Sequence, residues 1–165
     1  MSSTVPRRTL ELLDTSVLLN LLRVPFESDH ADDVQAELDA KWKRGVEFRL
    51  PLAALIEAGD HVGRVDNGTK RRQCAVRLRK LIEATLDGTA PWSFAPLEWD
   101  ATFLKQVISM PSAELVDSLA AKRLEMGDLV ILAELRRLRS NLDQKVIRVV
   151  IWTLDEQLRS AAELP

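Results

Sequence analysis

The chain has 165 residues, of which 46% are hydrophobic, and it carries a net charge of −2. A chain of this length buries about 70% of its unfolded surface in one core, so we expect one domain at 9–165 behind a flexible tail at 1–8. The single cysteine, Cys74, excludes an intrachain disulfide, and with only two histidines besides it argues against a zinc site.

The sequence contains no apolar run of about 18 uncharged residues, and its first residues include no hydrophobic segment long enough for a secretory signal. We therefore expect a cytoplasmic protein with no membrane partner. Charge is unevenly distributed, because residues 61–80 have a net charge of +6 and the remainder has −8. This asymmetry is compatible with an acidic site beside a basic strip along a phosphate backbone, although a solvated helix face would explain the strip equally well.

The first half of the chain alternates short apolar runs with amphipathic segments. The predicted elements are a strand at 9–13, a helix from Asp14 to about Arg23, a helix capped by Ser28 that reaches about Arg44, a strand at 46–51 and a helix at 52–62. A turn at 65–68 then precedes a long amphipathic helix at 69–86. Cys74 lies on the apolar side of this helix, and most of its basic residues lie on the other side.

The second half of the chain continues the alternation of strands and helices. The predicted elements are a strand near 92–97, a helix capped by Asp100 that reaches about Ile108, a helix at 112–123 after Pro111, a helix from Gly127 and Asp128 to about Ser140, a strand at 145–154 and a helix from Asp155. Helical segments between strands predict a central parallel sheet of four to five short strands, covered on both faces by helices. Ligands of such sheets bind beyond the carboxyl ends of the strands.

Four carboxylates are candidates for this rim. Asp14 and Asp155 each follow a strand, and Glu57 lies about two turns into the helix after another strand. Asp14, Asp128 and Asp155 also stand at helix starts, where capping alone would explain each of them. Glu57 resists that explanation because it is mid-helix among apolar neighbours. Carboxylates that converge repel one another unless a cation neutralises them, and hard oxygen ligands of this kind favour Mg²⁺ or Mn²⁺.

Four motifs together carry a resemblance to a known family: LLDTSVLL at 12–19, LAALIE at 52–57, GDLVILA at 127–133 and WTLD at 152–155. Their order along the chain, their spacing and their positions in the predicted strands and helices resemble those of the PIN-domain nucleases. This family includes the VapC-type toxins of toxin–antitoxin pairs. The resemblance implies a three-layer α/β/α sandwich and metal-dependent ribonuclease activity. It also implies site roles: Asp14, Glu57, Asp128 and Asp155 hold Mg²⁺ or Mn²⁺, Ser16 supports the metal or its water, and Thr153 orients a carboxylate or phosphate.

The expected reaction is hydrolysis of RNA by a metal-activated water, which in this family leaves a 5′-phosphate and a 3′-hydroxyl. The candidate contacts to the RNA backbone are Lys70, Arg71, Arg72, Arg77, Arg79 and Lys80, with Arg136, Arg137 and Arg139 as further candidates. Such contacts position a substrate without specifying its sequence. The expected partners are RNA, an antitoxin if the chain is a toxin, and a second copy of the chain in a homodimer.

The sequence departs from a short toxin in its basic helix at 69–86 and in an added segment at 97–123, which leaves the toxin subclass open. Only a helix follows Asp155, so a C-terminal edge strand is not expected. A receiver-like domain would need an adjacent acidic pair near the first strand, and a haloacid-dehalogenase-like phosphatase would need an aspartate at position 16. The alternative left open is a catalytically weak or inactive PIN-like module for protein binding or dimerisation.

Overall fold

The computed structural model describes residues 7–95, 98–110 and 113–164. In chain order its elements are β1 (Arg8–Leu13), α1 (Thr15–Leu21), α2 (Ala31–Lys43), β2 (Glu47–Leu50), α3 (Leu52–Gly63), α4 (Gly68–Leu86), β3 (Trp92–Phe94), α5 (Ala101–Ile108), α6 (Leu115–Ala120), α7 (Met126–Asn141), β4 (Ile147–Trp152) and α8 (Glu156–Glu163). The alternation of strands and helices confirms the predicted α/β class.

The four strands form one parallel sheet in the order β3-β2-β1-β4, with helices on both faces. The central strand β1 pairs with both neighbours, so that Leu12 lies opposite Arg49 on one side and Ile151 on the other. Because all strands run the same way, the residues after β1, β2 and β4 emerge at one edge. The predicted α/β/α sandwich with a parallel sheet is therefore confirmed.

Successive residues of β1 point to opposite faces of the sheet. On one face Glu11 is buried and pairs with Lys41 of α2, whose Nζ lies 2.8 Å from Glu11 Oε2. The same Lys41 lies over the ring of Trp152, which packs against Phe48. On the other face Leu10 and Arg49 line a cavity together with residues of α7. Helices α2 and α7 therefore cover opposite faces of the sheet.

The basic helix α4 has the amphipathic character that its sequence predicts. Cys74, Leu81 and Thr85 are buried, whereas the predicted RNA contacts are exposed. Asn67 caps the helix by accepting a hydrogen bond from Lys70 N at 3.0 Å. The basic residues of this window consequently lie on the surface of the protein.

Several predicted boundaries are wrong by a few residues. Helix α1 ends at Leu21 because Arg23 has a left-handed backbone, with φ 53°. Ser28 does not cap α2, since its hydroxyl donates to Val24 O and His30 occupies the N-cap without a side-chain bond. Helix α7 begins at Met126 rather than at residue 127, with Glu125 as its N-cap.

Other predictions fall partly outside the described residues. These are residues 1–6 of the predicted tail, residues 96–97 of the predicted strand at 92–97, and residue 112 of the predicted helix at 112–123. Strand β1 already begins at Arg8, which was assigned to the tail. The helix expected at 112–123 is shorter, with Glu114 as the N-cap of α6 and Ala120 as its last residue. None of the helices in the described ranges is long and apolar enough to cross a membrane.

Candidate functional site

Asp14 lies directly after β1 at the N-cap of α1, and its backbone N–H donates to Trp152 O of β4 at 3.1 Å. Its side chain is only 3% exposed. One carboxylate oxygen, Oδ2, accepts hydrogen bonds from the hydroxyls of Ser16 at 2.6 Å and Thr153 at 2.7 Å, and from Ser16 N at 3.2 Å. The other oxygen, Oδ1, is buried and has no hydrogen-bond partner among the residues that the structure describes. Hydrogen bonds thus fix one oxygen of the Asp14 carboxylate, and the other oxygen is available to bind a ligand.

The hydroxyls of Ser16 and Thr153 join the loop after β1 to the loop after β4. Ser16 Oγ accepts from Leu154 N at 2.9 Å, and Thr153 Oγ1 accepts from Asp155 N at 2.9 Å. Each hydroxyl therefore donates to Asp14 and accepts from the backbone of the WTLD motif. This arrangement fixes the Asp14 carboxylate relative to Asp155 although the two residues are far apart in sequence.

Glu57 reaches the same region from the middle of α3. Its Oε2 accepts a hydrogen bond from the Thr15 hydroxyl at 2.7 Å, and the carboxylate lies directly against Gly127. A Cβ at position 127 would overlap the Glu57 carboxylate, so glycine at this position lets Glu57 keep its present conformation. Burial raises the pKa of Glu57, as do the negative charges of Glu125 and Asp14, while the Thr15 hydrogen bond acts in the opposite direction.

Asp128 and Asp155 approach from two helix starts. Asp128 is the third residue of α7 and accepts from Glu125 N at 2.8 Å, so it completes a capping box rather than occupying the N-cap itself. Burial, followed by the charges of Asp14, Glu57 and Asp155, raises the pKa of Asp128 to about 7. Asp155 is the N-cap of α8 and accepts from Gln157 N at 2.7 Å and Leu158 N at 3.2 Å.

All four predicted acids line one cavity of about 520 Å³, which we call the acidic cavity. The raised pKa values of Glu57 and Asp128 arise partly from the neighbouring acids, so the carboxylates of the cavity repel one another. Such a set of oxygens suits a hard divalent cation. The unpartnered Asp14 Oδ1 fits this chemistry because a metal ligand must keep an oxygen free of hydrogen-bond donors.

In their present side-chain conformations, no three His, Cys, Asp or Glu residues within the described ranges are grouped so that they could hold a metal ion. Glu57, Asp128 and Asp155 are each engaged in a hydrogen bond to this chain. Binding of a cation by several of these carboxylates therefore requires side chains to turn away from those hydrogen bonds.

Two basic side chains that sequence reasoning missed, Lys122 and Arg123, also line the acidic cavity. They were assigned to the predicted helix at 112–123, but α6 ends at Ala120 and Lys122 has a left-handed backbone, with φ 51°. The turn carries both residues to the rim of the cavity. In the sequence, these two cations stand a few residues before the GDLVILA motif at 127–133. That proximity is the signal that could have linked them to the site.

His61 of α3 also lines the acidic cavity, and its Nδ1 lies 2.8 Å from Glu27 Oε2. It also lines a neighbouring cavity that includes Lys70. No residue of the predicted basic strip lines the acidic cavity itself. The strip is therefore adjacent to the candidate site at Lys70 and extends away from it along α4.

Several predicted RNA contacts also hold the fold together. Arg71 donates to Val65 O at 2.8 Å and Arg77 to Leu22 O at 3.2 Å, while Arg79 pairs with Glu83. Among the further candidates, Arg139 donates to Val149 O and Ala162 O, and Arg137 donates to Glu98 O. Arg137 and Arg139 are also only half-exposed, whereas the basic residues of α4 are exposed, so they are weaker candidates for an RNA surface than the α4 residues.

Comparison with known protein families, with characterised proteins and with solved structures gave no match to this chain. The resemblance to the PIN-domain nucleases therefore stays a prediction from the four motifs and the site residues.

Proposed function

We propose that the protein is an Mg²⁺- or Mn²⁺-dependent endoribonuclease of the PIN type, whose metal ligands are Asp14, Glu57, Asp128 and Asp155. The single observation that carries this proposal is the Asp14 carboxylate, which is buried, oriented by two hydroxyls, and left with one oxygen unbonded inside an acidic cavity. A buried carboxylate oxygen without a partner costs free energy, so its retention indicates a partner that the chain does not supply.

The electrostatics of the cavity favour the same conclusion. Asp128 has a pKa near 7 because burial and three other carboxylates oppose its ionisation. A bound divalent cation would reverse this effect and keep all four acids ionised. Bound Mg²⁺ or Mn²⁺ would supply a water of lowered pKa and positive charge at the scissile phosphate.

Other residues of the chain would position the metal ligands and bind the RNA backbone. Ser16 and Thr153 hold the Asp14 carboxylate in place before substrate arrives, whereas Glu57, which Thr15 holds now, would turn toward a bound cation. Lys122 and Arg123 at the rim can bind RNA phosphates next to the acids. The exposed residues of α4 can continue these contacts along the backbone, beginning at Lys70.

The test is cleavage of structured and unstructured RNA by the wild-type protein, Asp14→Asn and Asp60→Asn, with Mg²⁺ or Mn²⁺ and with EDTA. Asp60 is the matched control because it is an exposed carboxylate on α3 that does not line the acidic cavity. The proposal expects cleavage by wild type and Asp60→Asn, and loss of cleavage in Asp14→Asn or with EDTA. Cleavage that persists in EDTA or in Asp14→Asn would contradict the metal mechanism.

A second candidate function is a PIN-like module that binds a protein, either an antitoxin or a second copy of the chain. It is favoured by apolar side chains around the acidic cavity, because Leu119 and Met126 line it and Ile56 next to Glu57 is exposed. Light scattering of the purified protein distinguishes a homodimer from a monomer. Substitution Ile56→Asp should dissociate a dimer built on this face, whereas the same charge at Val146, which is exposed at the other end of the fold before β4, should not.

A further inference from the structure

A second cavity, of about 710 Å³, lies between the sheet and α7 and shares no lining residue with the acidic cavity. Its apolar wall includes Leu10 of β1 and Leu138 of α7. Six charged residues also line it, and two of them, Arg49 from β2 and Glu134 from α7, come from elements on either side of the cavity. The volume lies within the range of about 300 to 1,000 Å³ that is usual for small-molecule sites.

Glu134 is the more unusual of the two charged residues. It is 3% exposed, and within the described ranges its Oε2 has no hydrogen-bond partner. Burial raises its pKa to about 7, while the charge of Arg49 acts in the opposite direction. An unpaired carboxylate in such a position destabilises a fold, and replacing it with an apolar residue would remove that cost. Its presence beside a cavity indicates a donor that comes from outside the chain.

Arg49 is the cationic counterpart of Glu134 in this cavity. Its side chain is half-buried and makes no hydrogen bond or ion pair with any residue that the structure describes, Glu134 included. The other arginines of the cavity differ, because Arg8 pairs with Glu47 and Arg137 donates to Glu98 O. One cationic and one anionic side chain therefore face the same cavity, and neither neutralises the other by direct contact.

We propose that this cavity binds a small zwitterionic molecule. Its cationic nitrogen donates to Glu134, its carboxylate accepts from Arg49, and its apolar body lies against Leu10 and Leu138. A ligand with a single charge would leave either Glu134 or Arg49 unpaired in a partly buried site, which is unfavourable. A zwitterion on an apolar chain satisfies both groups and the apolar wall together. This site is independent of the proposed nuclease activity.

The test uses ε-aminocaproate as the zwitterionic probe, with hexylamine and hexanoate as probes that carry only one of its charges. Binding is measured by titration calorimetry on the full-length wild-type protein, and by the shift in unfolding temperature. We expect saturable binding of one ε-aminocaproate per chain, and roughly tenfold weaker binding of each singly charged probe, as the loss of one charged hydrogen bond predicts. Shorter and longer ω-amino acids then define the spacing between the two charges.

Three variants complete the test: Glu134→Gln, Arg49→Met and, as the control, Arg148→Gln. Arg148 is an exposed arginine of β4 that lines a different cavity. We expect roughly tenfold weaker binding in Glu134→Gln and in Arg49→Met, and no change in Arg148→Gln. The proposal is overturned if no ω-amino acid binds the wild-type protein, if hexylamine or hexanoate binds as well as ε-aminocaproate, or if a folded Arg49→Met protein binds like wild type.

Discussion

The Thr153 hydroxyl donates a hydrogen bond of 2.7 Å to Asp14 Oδ2 and so ties the loop after β4 to the residue that follows β1. This bond is buried, and it leaves Asp14 Oδ1 as the unbonded oxygen of the carboxylate. If Asp14 binds a cation as proposed, Thr153 controls that binding through the orientation of the carboxylate. Partners of metal ligands commonly change metal affinity by about 10- to 100-fold when they are removed.

Thr153→Val should therefore weaken Mn²⁺ binding by about tenfold or more, because it keeps the shape of the side chain and removes the donor to Asp14. It should also lower the free energy of unfolding by about 1 to 2 kcal/mol, since a buried acceptor loses one of its donors. Thr153→Ser keeps the hydroxyl and is the control. Equal Mn²⁺ affinity in the valine and serine variants would remove Thr153 from the positioning of Asp14.

Gly127→Ala should disturb the candidate site through a steric effect alone. Its new methyl group would overlap the Glu57 carboxylate, which would turn away and lose its hydrogen bond from Thr15, at a cost of about 0.5 to 1.5 kcal/mol in the free energy of unfolding. Gly63→Ala is the control, because no atom lies within 4 Å of a Cβ at that position. In the double variant Gly127→Ala with Glu57→Ala, the stability loss should be smaller than the sum of the single losses, while RNA cleavage stays absent. Additive losses in stability would contradict the close contact.

The pKa of Asp128, about 7 without metal, predicts the pH dependence of metal binding. Below that pH Asp128 is protonated and a cation must displace the proton, so Mn²⁺ affinity should fall by up to about tenfold per pH unit as the pH drops. Calorimetry between about pH 6 and about pH 8 measures this change and the proton released on binding. Asp128→Asn should bind Mn²⁺ more weakly and with a flatter pH dependence. A wild-type affinity independent of pH would contradict the prediction.

Glu134 predicts a pH dependence of stability that is independent of metal. Its folded-state pKa of about 7 lies above the ordinary value of 4.5, so the folded state gains stability from the protonated form below about pH 4.5 and loses it as the pH rises through 7. Glu134→Gln cannot ionise, so it should exceed wild type in stability by up to about 3 kcal/mol above pH 7 and by much less near pH 5. Urea unfolding at both pH values measures the difference. A constant difference would contradict the burial of an ionisable Glu134.

Lys122 and Arg123 should bind RNA phosphates at the rim of the acidic cavity. In an Asp14→Asn background, which prevents cleavage, neutralising both residues with glutamine should weaken binding of single-stranded RNA. It should also reduce the salt slope by about 1.4, or about 0.7 for each phosphate that the variant no longer neutralises. Neutralising Arg72 and Lys80 on α4 provides the comparison for the predicted basic strip. An unchanged slope in either double variant would exclude that pair from the RNA interface.

Short sequence patterns predicted the fold well, because strand hydrophobicity and helix capping depend on residues that are close in sequence. The apolar runs of β1 and β4 and the capping aspartates Asp14, Asp100 and Asp155 each depend on neighbours in sequence, and the structure has them at those positions. Ser28 shows the limit of this reasoning, because its hydroxyl donates back to Val24 O instead of capping the next helix.

The features that sequence reasoning missed depend on contacts between distant segments. Lys122 and Arg123 reach the acidic cavity only because α6 ends early and the chain turns at Lys122. The cavity that contains Arg49 and Glu134 lies between the sheet and α7, and neither residue belongs to a recognisable motif. Side-chain partners such as Thr15 for Glu57 likewise follow from the packing of α1 on α3.

The most direct test of the proposed metal site is calorimetric titration of Mn²⁺ into the wild-type protein, Asp14→Asn and Asp60→Asn. The proposed site predicts saturable binding to wild type and Asp60→Asn, and binding weakened by at least about tenfold in Asp14→Asn. Absence of Mn²⁺ binding to wild type, or equal affinity in Asp14→Asn, would contradict the claim that the acidic cavity is a metal centre built around Asp14.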